Sequence, residues 1–478
     1  MHRYFVTLIV AVALFMENMD STVIATSLPA IAHDLGEDPI ALKLALTSYL
    51  LSLAVFIPLS GWVADRFGAR TVFRAAIVVF TLGSAACGFA HSLLDFVLFR
   101  IVQGIGGAMM VPVGRLVILR TVPKAELISA LAWLTIPALL GPVIGPPLGG
   151  FITTFVSWRW IFWINIPMGI LGVILATRYI ANIREHELPP LDVKGFMLSG
   201  IGLAGLAFGF TTIGQGLLPT PVVAGLLIAG IVGCWLYVLH ARDARAPLID
   251  LSLLKVETFY ASVVGGFIFR IGIGATPFLL PLLLQLGFGL TPFQSGLLTF
   301  AGAVGAMAMK TTAAPILRRF GFKTVLVVNA VVSSLFIGAT ALFTQVTPHA
   351  VIFAVLVVGG FFKSLQFTSV NSLAYADIEP RAMSRATSFA SVAQQLSLSA
   401  GVAVGALVLE LQRHWRPGAA VESTDFAVAF VVVAAISAAS ALVFLRMPKT
   451  AGASLAAPAR PAGTTQKSVA EAAARVDA

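Results

Sequence analysis

Apolar stretches of about 20 residues, separated by short polar breaks, recur along the chain. A helix needs about 20 apolar residues to cross ~30 Å of hydrocarbon. Fourteen segments reach that length: 5–30, 42–63, 72–91, 94–116, 127–154, 160–181, 195–214, 221–240, 258–284, 293–314, 322–343, 349–373, 386–410 and 425–446. The pattern predicts an all-α polytopic membrane protein. The seventh and eighth segments are among the shortest, so the count carries a margin of two. The run from Tyr4 to Met16 has the look of a signal peptide. Glu17 and Asp20 follow at once and hydrophobicity resumes through Ala32, which predicts an uncleaved first span.

Composition sharpens this picture. Hydrophobic residues make up 58% of the chain and charged residues 11%, against about 25% charged in soluble proteins. The net charge of +10 does not point to nucleic acid. With the N-terminus inside, one side of the membrane collects Arg66, Arg70, Arg74, Arg115, Arg120, Lys124, Arg318, Arg319, Lys323 and the basic tail, roughly 23 of 31 Lys and Arg. The other side collects Lys43, Arg159, Arg413 and Arg416. Basic loops face the cytoplasm, so both termini are expected there. Residues 449–478, rich in Ala, Pro, Gly, Thr and Ser, read as a disordered tail. Cys87 and Cys234 sit in apolar runs and make no disulfide framework.

The chain repeats itself. GWVADRFGARTVF (61–73) aligns with APILRRFGFKTVL (314–326) at an offset of 253, pairing Arg66 with Arg319, Gly68 with Gly321 and Arg70 with Lys323. Duplicated halves are a mark of secondary transporters. The offset implies a six-helix half over 1–185, two inserted helices over 186–250 and a second half over 251–448.

The loop GWVADRFGAR resembles the signature of the major facilitator superfamily. MDSTVIATSLP (19–29), LFRIVQGIGGA (98–108), GPVIGPPLGG (141–150) and WRWIFWINIPMG (158–169) are similar to motifs of its fourteen-span drug:proton antiporter family. The resemblance covers all but the tail. It implies a proton-coupled exporter of drugs or other amphipathic small molecules in the inner membrane, working without ATP or another cofactor and functional as a monomer.

Several residues would bear the mechanism. Glu17 and Asp20 lie on one helix face. A charge at bilayer depth costs ~2.5–3.5 kcal/mol, so it usually faces a cavity or a partner. Asp20 matches the family's first-helix motif, Arg100, in the fourth-helix motif, is its expected partner, and Asp20, Glu17 and Arg100 together are expected to couple the proton. Snorkelling at the surface is the competing reading of Arg100. Asp65, Arg66 and Arg70, with Gly61 and Gly68, suit a charge latch between two states. The resemblance assigns that latch to the outward-facing state, and Arg318 stands in the second copy where Asp65 stands in the first. Gly141, Pro142, Gly145, Gly149 and Gly150 predict a kinked, closely packed fifth helix, which the resemblance reads as an antiporter signature.

In the second half, Arg270, Lys310 and Lys363, with the polar stripe of Gln366 and Asn371, add positive charge to the expected substrate cavity. Glu17 corresponds to Arg270 at the repeat offset. Such a cavity suits an anionic or zwitterionic cargo better than a cationic drug. Phe15, Phe269, Phe278 and Phe367 are candidates for an apolar drug surface. Trp158, Trp160 and Trp163 read as an interface belt.

No GxxxxGK[ST] segment occurs, which excludes a P-loop. No HExxH motif or Cys/His cluster suggests a metal, and no triad suggests an enzyme. The alternatives are a same-fold exporter of one narrow substrate (an organic anion, a lipid or a sugar) and a non-transporting membrane sensor.

Overall fold

The computed structural model describes residues 2–121, 127–182, 184, 190–212, 218–244, 247–379, 382–415, 422–448 and 450–452. Lys124, Arg416 and nearly all of the expected tail lie outside the described residues. Among those described, fourteen long helical rods follow one another. They are α1 (Val6–Leu35), α2 (Lys43–Phe67), α3 (Ala69–Cys87), α4 (Leu93–Ile118), α5 (Leu127–Phe155), α6 (Trp160–Tyr179) and α7 (Val193–Thr212). Then come α8 (Thr220–Asp243), α9 (Glu257–Gly287), α10 (Pro292–Phe320), α11 (Phe322–Leu342), α12 (His349–Leu373), α13 (Arg385–Trp415) and α14 (Ser423–Leu445). Twelve are long and apolar enough to cross a membrane. The other two, α5 and α10, have 29 residues each.

Irregularities in the rods have local causes. α1 tightens into a 3-10 turn over Ile24–Ser27, where Pro29 lacks an N–H and its ring crowds the carbonyl four residues back. α9 contains Pro277 and Pro281 and widens into π turns at Ala261–Gly265 and Leu283–Gly287.

The repeat is written into the backbone. Gly68 and Gly321 take φ values of 95° and 74° in equivalent turns. Gly36 and Gly289, separated by the same offset, take 70° and 71°. An L side chain is strained in this region, so each turn requires glycine. The Gly68 and Gly321 turns mark the basic end of the bundle, with Arg66, Arg70, Arg318, Arg319 and Lys323 beside them.

At the opposite end one apolar core joins the first six helices to the last six. Leu28, Phe96 and Phe162 pack in it with Phe278, Leu282, Phe426 and Phe430. Towards the basic end, Val10, Phe73 and Ile118 form a core of the first six helices alone. Met309, Leu326 and Phe444 form one of the last six. A fourth cluster holds Ala54 of α2, Tyr237 of α8, Phe259 of α9 and Phe389 of α13.

Polar links reinforce the shared end. Lys43 Nζ donates to Glu410 Oε1 at 2.6 Å, and Arg413 pairs with Asp38. Gln285 Nε2 donates to Thr26 O at 2.8 Å, and Phe293 N to Thr154 Oγ1 at 3.1 Å. The inserted pair sits at the side. α7 and α8 touch backbone to backbone through Gly202, Gly205, Gly230 and Gly233, and Phe196 of α7 meets Phe56 of α2 with ring centroids 5.7 Å apart.

Candidate functional site

Asp20 and Arg100 meet inside the first six helices. Arg100 Nη1 lies 2.7 Å from Asp20 Oδ2, and both side chains are 1% exposed. Asp20 Oδ1 accepts from Gln103 Nε2 at 2.8 Å and from Asn165 Nδ2 at 3.0 Å. Arg100 also donates to Gln103 Oε1 at 2.7 Å and to Ala45 O at 3.4 Å, and its guanidinium lies 4.2 Å from the Tyr49 ring centroid. Ser84 joins Asn165 to Phe162 O. Four helices, α1, α3, α4 and α6, thus converge on one carboxylate. Both of its oxygens accept from donors, so the network around it holds the carboxylate's charge.

Glu17 lies one turn away with a different environment. It is 9% exposed and its Oε2 has no hydrogen-bond partner. The Tyr49 hydroxyl is likewise buried and unpartnered. Both crowd Gly107, where a methyl group would lie 3.0 Å from the Tyr49 hydroxyl and 3.7 Å from Glu17 Oε1. The missing side chain at Gly107 leaves room beside two unsatisfied polar groups.

The glycines of α5 face two partners. Gly141 abuts the backbone at Asn18 and Met19, Gly145 abuts Thr22, and Gly149 abuts Val23 and Thr26. These three contacts run along α1 at four-residue spacing. Gly150 faces elsewhere, against Pro292 and Phe293 of α10. Pro146 returns the contact through its carbonyl, which lies against Gly296. Pro142 is half-buried in the same helix.

In the basic-end loop, Asp65 is half-buried, and Arg66 and Gly61 are exposed. Arg70 Nη1 reaches Ile180 O at 3.5 Å, and Thr71 N donates to Asn182 Oδ1 at 3.3 Å. Gly68 lies against the same Asn182. These bonds tie the loop to the segment after α6.

In the last six helices, Arg270 is 4% exposed. Its Nη2 donates to Asn371 Oδ1 at 2.6 Å, its Cζ lies 5.2 Å from the Phe367 ring centroid, and its Nε has no partner. Lys363 is half-buried. Lys310 is exposed and donates to Thr368 Oγ1 at 2.9 Å. Gln366 departs from the expected stripe. It is fully buried and bonds Asn329 and Leu326 O of α11, away from Arg270. Phe269 and Phe278 are also fully buried in the core, leaving Phe15 and Phe367 partly open. Trp158 is not in a surface belt. It is 5% exposed, packs on Phe96 and Phe162, and donates to Asp34.

Sequence reasoning did not single out Asn165, Ser84, Tyr49, Lys43 or Glu410. Asn165 had a usable signal, a lone amide in an otherwise apolar run.

The comparisons with known proteins agree with this architecture. The Major Facilitator Superfamily model matches residues 10–239 and 262–475. A protein of Escherichia coli named for multidrug resistance, MdtD, is 38% identical over 446 residues, covering 92% of this chain and 94% of that protein. An MdtD of Shigella boydii matches to the same extent. Among solved structures, a D-xylose–proton symporter superposes with a TM-score of 0.67 at 16% identity, covering 94% of this chain and 98% of that one. The POT family transporter PepTSo gives 0.69 at 14% identity, covering 92% and 97%. Family match, relatives and fold agree: the chain belongs to the Major Facilitator Superfamily.

Proposed function

We propose that this protein exports drugs or other amphipathic small molecules in exchange for protons, by alternating access between its two six-helix halves. The reading places it in the inner membrane as a fourteen-span monomer in the 6+2+6 arrangement, with the basic end and both termini in the cytoplasm. The observation that carries it is the buried Asp20–Arg100–Gln103–Asn165 cluster, one helix away from the glycine face of α5. A proton on Asp20 weakens its ion pair with Arg100, and α1 and α5 are so close that α1 cannot shift alone. The multidrug name of the Escherichia coli relative supports the same reading. In this reading, the joining of the halves at the end away from the basic loops supports a state open to the cytoplasm.

The test is dye efflux from proteoliposomes under an imposed pH gradient, comparing wild type with Asp20→Asn. Gradient-driven flux that the variant loses supports proton antiport through Asp20. Absence of gradient-driven flux in wild type overturns it. A second reading, export of one narrow substrate, is favoured by the cations of α9, α10 and α12.

A further inference from the structure

The membrane-embedded part of the second half has cations and no acids to match them. Away from the basic end, where Arg318, Arg319 and Lys323 sit, α9 to α12 contain Arg270, Lys310 and Lys363, and between their end residues they contain no Asp or Glu. Glu257 begins α9, 13 residues before Arg270, which places it about 20 Å away along the axis. Glu410 of α13 is engaged by Lys43 at the opposite end, and Asp425 begins α14. Arg270 is 4% exposed, yet its strongest bond is to a neutral amide and its Nε is unsatisfied.

The arrangement around Arg270 is directional. Lys363, Phe367 and Asn371 follow at four-residue spacing on α12, so they lie along one face. Phe367 and Asn371 meet Arg270. Contacts flanking this stripe are taken: Lys310 of α10 meets Thr368 and Asn329 of α11 meets Gln366, while Gly360, one turn before Lys363 on the same stripe, packs against Gly302 of α10. From there on, Phe367 and Asn371 turn towards Arg270, with Lys363 one turn along the same stripe. It offers an ammonium, an aromatic ring and a guanidinium in sequence.

We infer that this face holds the acidic group of an organic anion with an apolar body, bound between Arg270, Asn371 and Lys363. The inference rests on the export reading and narrows its substrate class. It also separates two carboxyls that the sequence grouped together. Glu17, at the equivalent position of the other half, repels such a cargo when ionised and limits its affinity. Asp20, already paired, is left to carry the exchanged proton. An anion leaving and a proton entering move charge in the same sense, so a membrane potential negative inside speeds the cycle. A monovalent cation exchanged for one proton moves no net charge.

The test uses the full chain in proteoliposomes with two probes, carboxyfluorescein as anion and ethidium as cation. Wild type is expected to move carboxyfluorescein under a pH gradient, faster when a valinomycin-set potassium potential is negative on the dye-loaded side. Arg270→Gln and Lys363→Gln are each expected to lower that flux about tenfold or more, the loss of one charge-assisted contact. Arg270→Lys should retain much of it, and Glu17→Gln should lower the carboxyfluorescein KM. Melting temperatures of the Arg270 and Lys363 variants close to that of wild type show that they are folded. Ethidium transport without carboxyfluorescein transport, or carboxyfluorescein flux indifferent to both substitutions, overturns the inference and leaves the export reading standing. Gradient-driven flux of neither dye overturns both.

Discussion

Lys43 of α2 and Glu410 of α13 form an ion pair of 2.6 Å across the junction of the two halves, with side chains 1% and 14% exposed. The pair sits with Asp38–Arg413 and the shared apolar core at the end away from the basic loops. Removing one member leaves its partner's charge buried, a loss of about 3–5 kcal/mol. Glu410→Leu is therefore expected to open this end. Spin labels at His33→Cys and His414→Cys, with Cys87 and Cys234 replaced by Ser, should report a longer distance in the variant. The double substitution Lys43→Met with Glu410→Leu should largely restore the short distance, because an apolar pair of similar size replaces a desolvated one.

Asp20→Asn preserves shape but places an amide among three donors. Arg100, Gln103 and Asn165 then compete for a single oxygen. Gradient-driven transport is expected to fall by about 100-fold or more, since an interaction of ~3 kcal/mol and the titrating group are lost together. Downhill dye exchange should persist at a measurable rate. Loss of both would mean that the cluster holds the fold rather than the proton.

The glycines of α5 should differ sharply from a glycine in open space. Gly145→Ala meets the Thr22 hydroxyl and Gly149→Ala meets the Val23 carbonyl. Overpacking of this kind costs about 1–3 kcal/mol. Both variants should melt at lower temperature and transport poorly. Gly225→Ala on α8 has nothing within 4 Å of the added methyl, and helix propensity favours alanine by about 1 kcal/mol. Its melting temperature should hold or rise.

The inserted pair has its own pH dependence. Burial alone would raise the Asp192 carboxyl. The hydrogen bond from His240, the Gly195 and Leu248 amides and the His240 charge outweigh it and hold the group below its ordinary value of 3.8. His240 lies at 2.7 Å and the Gly195 amide at 2.8 Å. A depressed carboxyl contributes stability above the ordinary value and loses it as pH falls from there through the lower folded value. Wild type should melt above Asp192→Ala at pH 7, and the gap should narrow as pH falls below 3.8 and close beneath the lower folded value. A gap independent of pH would assign Asp192 a role in shape alone.

Much of this was legible in the chain, for reasons that differ by residue. The rods were readable because a bilayer sets their length. Asp20 and Arg100 were readable because ionised groups at membrane depth are too costly to leave unpaired. Asn165 completes the same cluster, but an amide is a weaker anomaly. Lys43 and Glu410 lie near helix ends, where snorkelling is the ordinary expectation, and only the tertiary fold brings them together. Gln366 was misplaced because four-residue spacing and three-residue spacing diverge around a helix, turning it towards Asn329 while Phe367 and Asn371 turn to Arg270. The Gly68–Gly321 equivalence shares neighbouring letters. The Gly36–Gly289 equivalence keeps a backbone requirement after its neighbouring letters have drifted.

Gly149 and Gly150 are adjacent in sequence, yet one rests on α1 and the other on α10. α5 is thus a bearing with two running surfaces, one towards the proton cluster and one towards the opposing half. The glycine patches carry no side chain, but beside them Thr153 meets Ser27 of α1, and Thr154, Phe151 and Phe155 meet Phe293 of α10. Sliding at the α10 surface therefore has to part the Thr154 bond and turn the Phe151, Phe155 and Phe293 rings, in addition to opening the ion pairs at the far end.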